Sequence, residues 1–147
     1  MNLFYRKFGK GKPLFILHGL FGSGDNWLTI GKNLAEKFEV YLIDLRNHGQ
    51  SFHSEEWNYR VMATDVYNLM MHLNLDKISL IGHSMGGKTA ITFSTMFPKL
   101  TEKLVVVDIA TKYYPVHHQE ILEAINSLPI HEITSRKQAE QILSEKI

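Results

Sequence analysis

The chain has 147 residues, of which 44% are hydrophobic and 21% are charged, so it has enough apolar side chains to form a core of its own. Sixteen basic and fifteen acidic residues give a formal net charge of +1, which is too balanced to attract nucleic acid or an anionic membrane through a global field. The absence of cysteine excludes disulfides, thiolate metal sites and a cysteine nucleophile. Because no apolar run is long enough for a signal peptide or a membrane span, we expect a cytoplasmic protein without a nucleic-acid or membrane partner.

Short apolar runs alternate along the chain with longer segments of helical spacing. Four continuous runs predict strands buried on both faces of a sheet: Leu14–Leu17, Val40–Ile43, Ile78–Ile81 and Leu104–Val107. A weaker alternating pattern over Leu3–Phe8 predicts an edge strand. Helical spacing is found in three segments: Ile30, Leu34 and Phe38; Met62–Leu73; and Met85–Phe97, which ends before Pro98. This order of elements predicts an α/β fold with a parallel, doubly wound sheet.

The pattern changes after the fourth apolar run. A helix is indicated by apolar residues at helical spacing before a proline: Ile121, Ile125, Leu128 and Pro129. A capping box of Ser135 and Gln138 predicts a final helix through Leu143. Because no strand separates these two helices, we expect an α/β core over residues 1–110 and the start of a helical cap over residues 111–147.

Residues Gly82–Gly86 have the pattern G-x-S-x-G between a predicted strand and a predicted helix, which is typical of a nucleophile elbow. Glycines flank the serine in such a turn because a side chain there would collide with neighbouring backbone, and the turn would present the Ser84 hydroxyl above the sheet. The backbone N–H groups of Met85 and of Leu20, in the loop after the first buried run, are candidate oxyanion donors. The alternative is an ordinary glycine-rich turn.

Other polar and aromatic residues follow the predicted strands. Four of them are expected to brace a loop rather than to bind substrate: Asp44, Arg46, His48 and Ser51. The His18 side chain is expected to hydrogen-bond within its own loop. Phe21, Trp27 and Tyr113 are candidate walls of an apolar acyl pocket, with core packing as an equal interpretation. No metal-ligand spacing or phosphate-binding loop is visible, so we expect no cofactor.

Four segments in this order resemble the α/β-hydrolase superfamily: HGLFGSGDNW (18–27), DLRNHGQS (44–51), IGHSMGGK (81–88) and VDIA (107–110). The second and third together are similar to YbfF-type bacterial esterases, which act on acyl esters and acyl-CoA thioesters. The resemblance implies a triad in the chain order Ser, acid, His, with Ser84 as the nucleophile and Asp108 as the acid. The alternative for Asp108 is a helix-capping or loop-bracing role, since many relatives place the acid after a later strand.

The resemblance also implies that a hydrolase of this type runs well past residue 147, with further strands and a catalytic histidine after the last of them. None of the eight histidines in the chain follows a final strand. We therefore expect a serine hydrolase for a small-molecule ester or thioester that is close to inert as this chain alone, because a serine hydroxyl needs a neighbouring base. The alternatives are carbon–carbon hydrolase or haloperoxidase-like chemistry on the same scaffold, and a non-catalytic binding module on a partial hydrolase fold. The sequence makes no prediction of oligomeric state.

Overall fold

The computed structural model of the chain describes residues 3–109, 119–129 and 131–144. The chain divides into two compact units, Met1–Thr111 and Lys112–Ile147. Within the described residues, the strands of the first unit are β1 (Tyr5–Phe8), β2 (Lys12–Leu17), β3 (Phe38–Ile43), β4 (Ile78–His83) and β5 (Thr101–Val107). Its helices are α1 (Leu28–Leu34), which follows one 3₁₀ turn over Gly24–Trp27, then α2 (Tyr59–His72) and α3 (Met85–Met96). The second unit contains α4 (Gln119–Asn126) and α5 (Arg136–Ser144).

The strands of the first unit form one sheet in the spatial order β1-β3-β2-β4-β5. β2 pairs in parallel with β3 on one side and with β4 on the other, and β4 pairs in parallel with β5. β1 is antiparallel to β3 and lies at the edge of the sheet. The predicted α/β fold is therefore confirmed, with an antiparallel strand at one edge. The chain passes from β2 to β3 on one side of β2 and then crosses to β4 on the other side. The carboxyl ends of β2 and β4 therefore flank a topological switch point, where open α/β sheets bind ligands.

Alternate residues of the central strands pack on opposite faces of the sheet. One face carries Phe15 and Leu17 of β2, which pack with the buried residues of α2 and α3. The other face carries Leu14 and Ile16 of β2, which pack with residues of α1. Both faces of β2 are thus covered by helices, which explains why this strand is a continuous apolar run in the sequence.

The prediction that Leu104–Val107 is buried on both faces is wrong for part of that run. β5 lies at an edge of the sheet, and residues 102–105 are exposed; Val105 is 50% exposed and Leu104 is 37% exposed. An apolar run alone does not show whether a strand is central or at an edge of the sheet. Within the described residues no further strand pairs with the outer side of β5. β5 therefore presents apolar side chains and unpaired backbone groups on its outer side.

Three sequence predictions of element ends also need correction. Phe38 was expected on a helix, but α1 ends at Leu34 and Phe38 is the first residue of β3. The helix expected to reach Leu128 ends at Asn126. Only one of the two hydrogen bonds of the predicted capping box forms. In it, the Gln138 N–H donates to Ser135 Oγ at 3.2 Å.

The other half of that capping box is directed to a neighbouring residue. Gln138 Oε1 accepts hydrogen bonds from the backbone N–H of Thr134 at 3.0 Å and from its hydroxyl at 3.2 Å. The side chain thus reaches one residue further than a regular capping box requires.

Candidate active site

Ser84 occupies a sharp backbone turn between β4 and α3. Its φ of 50° and ψ of −112° are unusual for a residue with a side chain, and such conformations cost on the order of 1–3 kcal/mol. Two hydrogen bonds of 3.0 Å hold the turn: the Ser84 N–H donates to the carbonyl of Val107 in β5, and its carbonyl accepts from the Lys88 N–H. Within the described residues the Ser84 hydroxyl makes no hydrogen bond of its own. The backbone therefore has the shape expected of a nucleophile elbow.

Two glycines allow the close packing that this turn needs. A Cβ on Gly82 would lie only 2.7 Å from the Cα of Gly87, in the first turn of α3. A Cβ on Gly86 would overlap the carbonyl oxygens of Leu17 and His18, at the carboxyl end of β2. The beginning of α3 thus lies directly against the end of β2. Because these neighbours are backbone atoms, they cannot move aside as a flexible side chain would.

The loop after β2 approaches Ser84 on the side facing the switch point. A Cβ on Gly19 would lie 3.5 Å from Ser84 Cβ. A turn closes this loop, since the Gly22 N–H donates to the Gly19 carbonyl at 3.0 Å, and Leu20 lies within it. Met85 is the first residue of α3, and the first N–H groups of a helix have no partner inside the helix. Leu20 and Met85 therefore belong to two segments that meet next to Ser84.

The His18 imidazole is buried and uses both ring nitrogens inside the core. Its Nδ1 lies 2.8 Å from the Gly19 carbonyl oxygen, and its Nε2 lies 3.0 Å from the Leu45 backbone nitrogen. An N–H donor at Leu45 requires an unprotonated Nε2, so this arrangement holds the neutral tautomer with its proton on Nδ1. Burial lowers the pKa of His18. The side chain thus braces the loop, as expected from the sequence.

The polar residues after β3 hold their loop by hydrogen bonds. The Asp44 carboxylate is buried and accepts from the N–H groups of Gly24 at 2.7 Å and Gln50 at 2.8 Å. The Ser51 hydroxyl donates to the Asp44 carbonyl at 2.5 Å. His48 Nδ1 lies 2.9 Å from a backbone carbonyl of the same loop. This agrees with the expected bracing role.

A buried ion pair joins the same loop to α2. The Arg46 guanidinium donates to both carboxylate oxygens of Asp65, from Nε at 2.5 Å and from a terminal nitrogen at 2.8 Å. It also donates to the Glu56 carbonyl at 2.5 Å. The Asp65 carboxylate raises the pKa of Arg46. Asp65 was not among the predicted loop-bracing residues, although a carboxylate on the apolar face of a helix is itself a signal of a buried cation.

Asp108 directly follows β5, beside the elbow. His83 pairs with Val107 in the strand register, so Ser84 and Asp108 leave neighbouring strands at the same level. Asp108 has a φ of 54°, and its side chain is 85% exposed. Its Oδ2 lies 3.7 Å from His83 Nε2. The carboxylate is thus accessible from solvent and available to a further partner.

A cleft of about 230 Å³ opens beside the loop after β2. Its walls include Leu20, Phe21, Asn26, Trp27 and His83. The rings of Trp27 and His83 are 6.3 Å apart between centroids. The cleft combines apolar side chains with polar groups from His18, Asn26 and His83, and such a mixture suits a small organic molecule.

The structure thus brings five of the six site residues predicted from the sequence to the carboxyl ends of β2, β4 and β5: Ser84, Asp108, Leu20, Met85 and Phe21. The sixth, Tyr113, lies outside the described residues. His83 and Asn26 were missed as cleft residues, because neither carries a motif that distinguishes a wall from a turn. In the described part of the chain, no cluster of three or more His, Asp or Glu side chains is placed to bind a metal ion. No helix there is both long and apolar enough to cross a lipid bilayer.

Comparison with known proteins gives a consistent set of similarities. The family model described as "alpha/beta hydrolase fold" matches residues 12–140. The chain is 40% identical to an sn-1-specific diacylglycerol lipase of Danio rerio over 100% of this chain and 49% of that protein. It is 36% identical to Esterase YbfF of Escherichia coli over 92% of this chain and 54% of that protein.

Among solved structures, a marine microorganism esterase matches with a TM-score of 0.95 and 45% identity. That match covers 99% of this chain and 59% of the esterase. The chain spans about half the length of the curated relatives it matches.

Proposed function

Because this chain belongs to the α/β-hydrolase fold family, we propose that it carries the nucleophile, the acid and the oxyanion hole of a serine esterase. The observation that carries the proposal is the left-handed backbone of Ser84 between β4 and α3, with the loop containing Leu20 against it. Strain of this kind persists only where the surrounding structure enforces it, and it is concentrated at active sites. The substrate class is a small-molecule carboxylic ester or acyl thioester, in agreement with relatives named as an esterase and a lipase.

The proposed reaction begins with attack of Ser84 Oγ on the ester carbonyl carbon. The hydroxyl proton passes to a base and then to the departing alcohol or thiol, and the acyl group remains bonded to Ser84. Water then hydrolyses this acyl-enzyme and releases the carboxylic acid. The N–H groups of Leu20 and Met85 bind the negative oxygen that forms on the carbonyl, and each such donor is worth about 10²–10³ in kcat. The positive end of α3 adds to this stabilisation.

Asp108 is proposed to orient and charge-stabilise the histidine that serves as base. Its exposed carboxylate beside the elbow is suited to that contact. We propose none of the histidines that the structure describes as the base, and we propose that this chain alone is close to inert. Phe21 and Tyr113 are proposed to contact the acyl group.

The proposal is tested by labelling the complete gene product with a fluorophosphonate probe and locating the modified residue by mass spectrometry. Ser84 is expected to be labelled, and Ser84→Ala is expected to abolish labelling. Ser94→Ala is the matched control, since Ser94 lies on the same helix and its buried hydroxyl has no hydrogen-bond partner among the described residues. Labelling that persists in Ser84→Ala would refute the assignment.

The acid is tested separately with Asp108→Asn, which keeps the size of the side chain and removes its charge. We expect kcat for p-nitrophenyl butyrate to fall by about 10⁴-fold, the effect of the same change in a serine protease triad. An unchanged kcat would assign Asp108 to the loop-bracing alternative and place the acid elsewhere. The esterase proposal would then still stand on Ser84.

A further inference from the structure

Phe21 has a backbone conformation that its side chain disfavours. The turn from Gly19 to Gly22 is closed by a 3.0 Å hydrogen bond between their backbone groups, and Phe21, its third residue, has a φ of 61°. This position of a turn with positive φ is normally glycine or asparagine, because a Cβ is crowded there. A bulky aromatic residue is an outlier at such a position.

The other residues with this backbone conformation have evident reasons for it. Among the residues that the structure describes, the non-glycine ones with positive φ are Phe21, Asn47, Asn74, Ser84 and Asp108. Asparagine tolerates the left-handed region, since its short polar side chain can hydrogen-bond locally. Ser84 and Asp108 are the proposed nucleophile and acid. Phe21 also has positive φ, but it takes no part in the proposed bond-forming steps.

Core packing does not account for the Phe21 ring. Its side chain is 57% exposed and belongs to neither of the two hydrophobic clusters, whereas the neighbouring Leu20 packs against the larger one. Phe21 instead lines the 230 Å³ cleft, with Trp27 on the same cleft. The turn thus places an exposed aromatic residue on the wall of the cleft, one residue from the proposed oxyanion donor.

We propose that Phe21 is a specificity-determining residue that selects esters carrying a compact apolar group at the cleft. An apolar cavity of about 150 Å³ accommodates benzene, so a cleft of 230 Å³ fits a group of about six to nine carbon atoms. The inference rests on the proposed esterase function for its meaning, because it names the substrate class of that site. The strain at Phe21 is retained because the ring covers this group on its solvent side.

Ligand binding to the cleft is measured without any catalytic step. Trp27 fluorescence is recorded in a Trp57→Phe background, where Trp27 is the single tryptophan of the chain, during titration with methyl ketones of increasing chain length. Affinity is expected to rise with chain length until the cleft is filled, at about nine carbon atoms, and to remain constant beyond it. Phe21→Gly and Phe21→Ala are both expected to weaken binding of the nine-carbon ketone by about tenfold, because each removes one wall.

Thermal stability separates the strain from the ring. Phe21→Gly removes both and is expected to raise Tm by a few degrees, whereas Phe21→Ala keeps a Cβ in the left-handed conformation and is expected to leave Tm unchanged or lower. Asn74→Gly is the matched control, since Asn74 also has positive φ (53°) but lies after α2. It should leave ketone affinity unchanged. If Phe21→Gly binds the ketones as tightly as the parent, or lowers Tm, the inference is overturned.

Kinetics of the complete gene product then test whether the acyl group, as proposed above, or the alcohol group occupies the cleft. p-Nitrophenyl esters vary the acyl group, and alkyl acetates vary the alcohol. Phe21→Gly should raise KM for the longer members of one series by about tenfold with little change in kcat. If neither series responds, the inference is wrong. If Ser84 is not labelled by the fluorophosphonate while ketone binding still depends on Phe21, the esterase proposal fails and the cleft remains a binding site.

Discussion

Replacing Gly86 with alanine tests whether contact between α3 and β2 positions the candidate site. The new Cβ would overlap the carbonyl oxygens of Leu17 and His18, and it would lie 2.6 Å from the Leu17 carbonyl carbon. Since these are backbone atoms, α3 or the loop after β2 must shift. Overpacking of this kind costs about 1–3 kcal/mol, against which alanine recovers about 1 kcal/mol of helix propensity over glycine. We expect a net loss of up to about 2 kcal/mol and a fall in Tm of up to about 8 °C.

The same shift should damage the site more than the fold. Met85 directly precedes Gly86, so displacement of α3 moves a proposed oxyanion donor away from Ser84. A misplacement of about 1 Å costs on the order of 10²-fold in rate, so the fluorophosphonate labelling rate at Ser84 should fall by about that factor. The assay combines this labelling rate in the complete gene product with thermal unfolding followed by circular dichroism.

Gly31→Ala is the matched control, because it also adds a Cβ to a helical glycine in contact with a central strand. Its Cβ would meet Leu42 Cδ2 at 2.8 Å, which is the far end of a side chain that can adjust. Labelling should be unchanged and Tm should change by at most about 2 °C. If Gly86→Ala keeps both the Tm and the labelling rate of the parent, or if Gly31→Ala loses labelling equally, the reasoning is refuted.

Three further perturbations test the loops and the exposed edge. Asp65→Ala leaves the buried Arg46 guanidinium without its carboxylate and should lower the free energy of unfolding, measured in urea, by about 3–5 kcal/mol. Asp25→Ala, which breaks an exposed ion pair, should lower it by less than about 1 kcal/mol. Equal losses would contradict the structural role of the buried pair. Because the folded-state pKa of His18 lies below its ordinary value of 6.5, its contribution to stability is complete above that pH and is lost as the pH falls towards the folded-state pKa. His18→Gln should therefore flatten the decline of unfolding free energy between about pH 7.5 and pH 5, and an unaltered slope would count against it. Val105→Lys places a charge on the exposed strand edge and should reduce self-association in size-exclusion chromatography; a parent chain that elutes as a monomer at every concentration would show that the edge does not associate.

Most of the sheet could be predicted from the sequence, because its central strands obey a simple rule. A strand covered by helices on both faces is apolar at every position, and Leu14–Leu17 and Val40–Ile43 lie inside β2 and β3 as predicted. The rule is weaker at the edges of the sheet. Leu104–Val107 is equally apolar, yet its burial depends on elements that the run itself does not specify. Phe38 satisfies both helical and strand spacing, and only the end of α1 at Leu34 decides between them.

The motifs of the site could be predicted from the sequence, whereas the geometry of the site could not. Glycines around Ser84 are local requirements of one turn, so they are visible as a short pattern. The contacts that assemble the site join segments far apart in sequence, such as Asp44 with the N–H of Gly24 and Arg46 with Asp65. Their pairing depends on the strand order, and spacing along the chain contains no information about it.

The strained residues explain why strand order matters for function. Ser84 and Asp108 both have backbones with positive φ, which serine disfavours and aspartate tolerates better. The pairing of His83 with Val107, and the hydrogen bond from the Ser84 N–H to the Val107 carbonyl, hold the two turns at the same level of the sheet. The cost of the strain is therefore met by the parallel pairing of β4 with β5. A shift of register by one residue would move Ser84 and Asp108 to different levels of the sheet edge, so the pairing that stabilises the sheet also enforces the geometry proposed for catalysis.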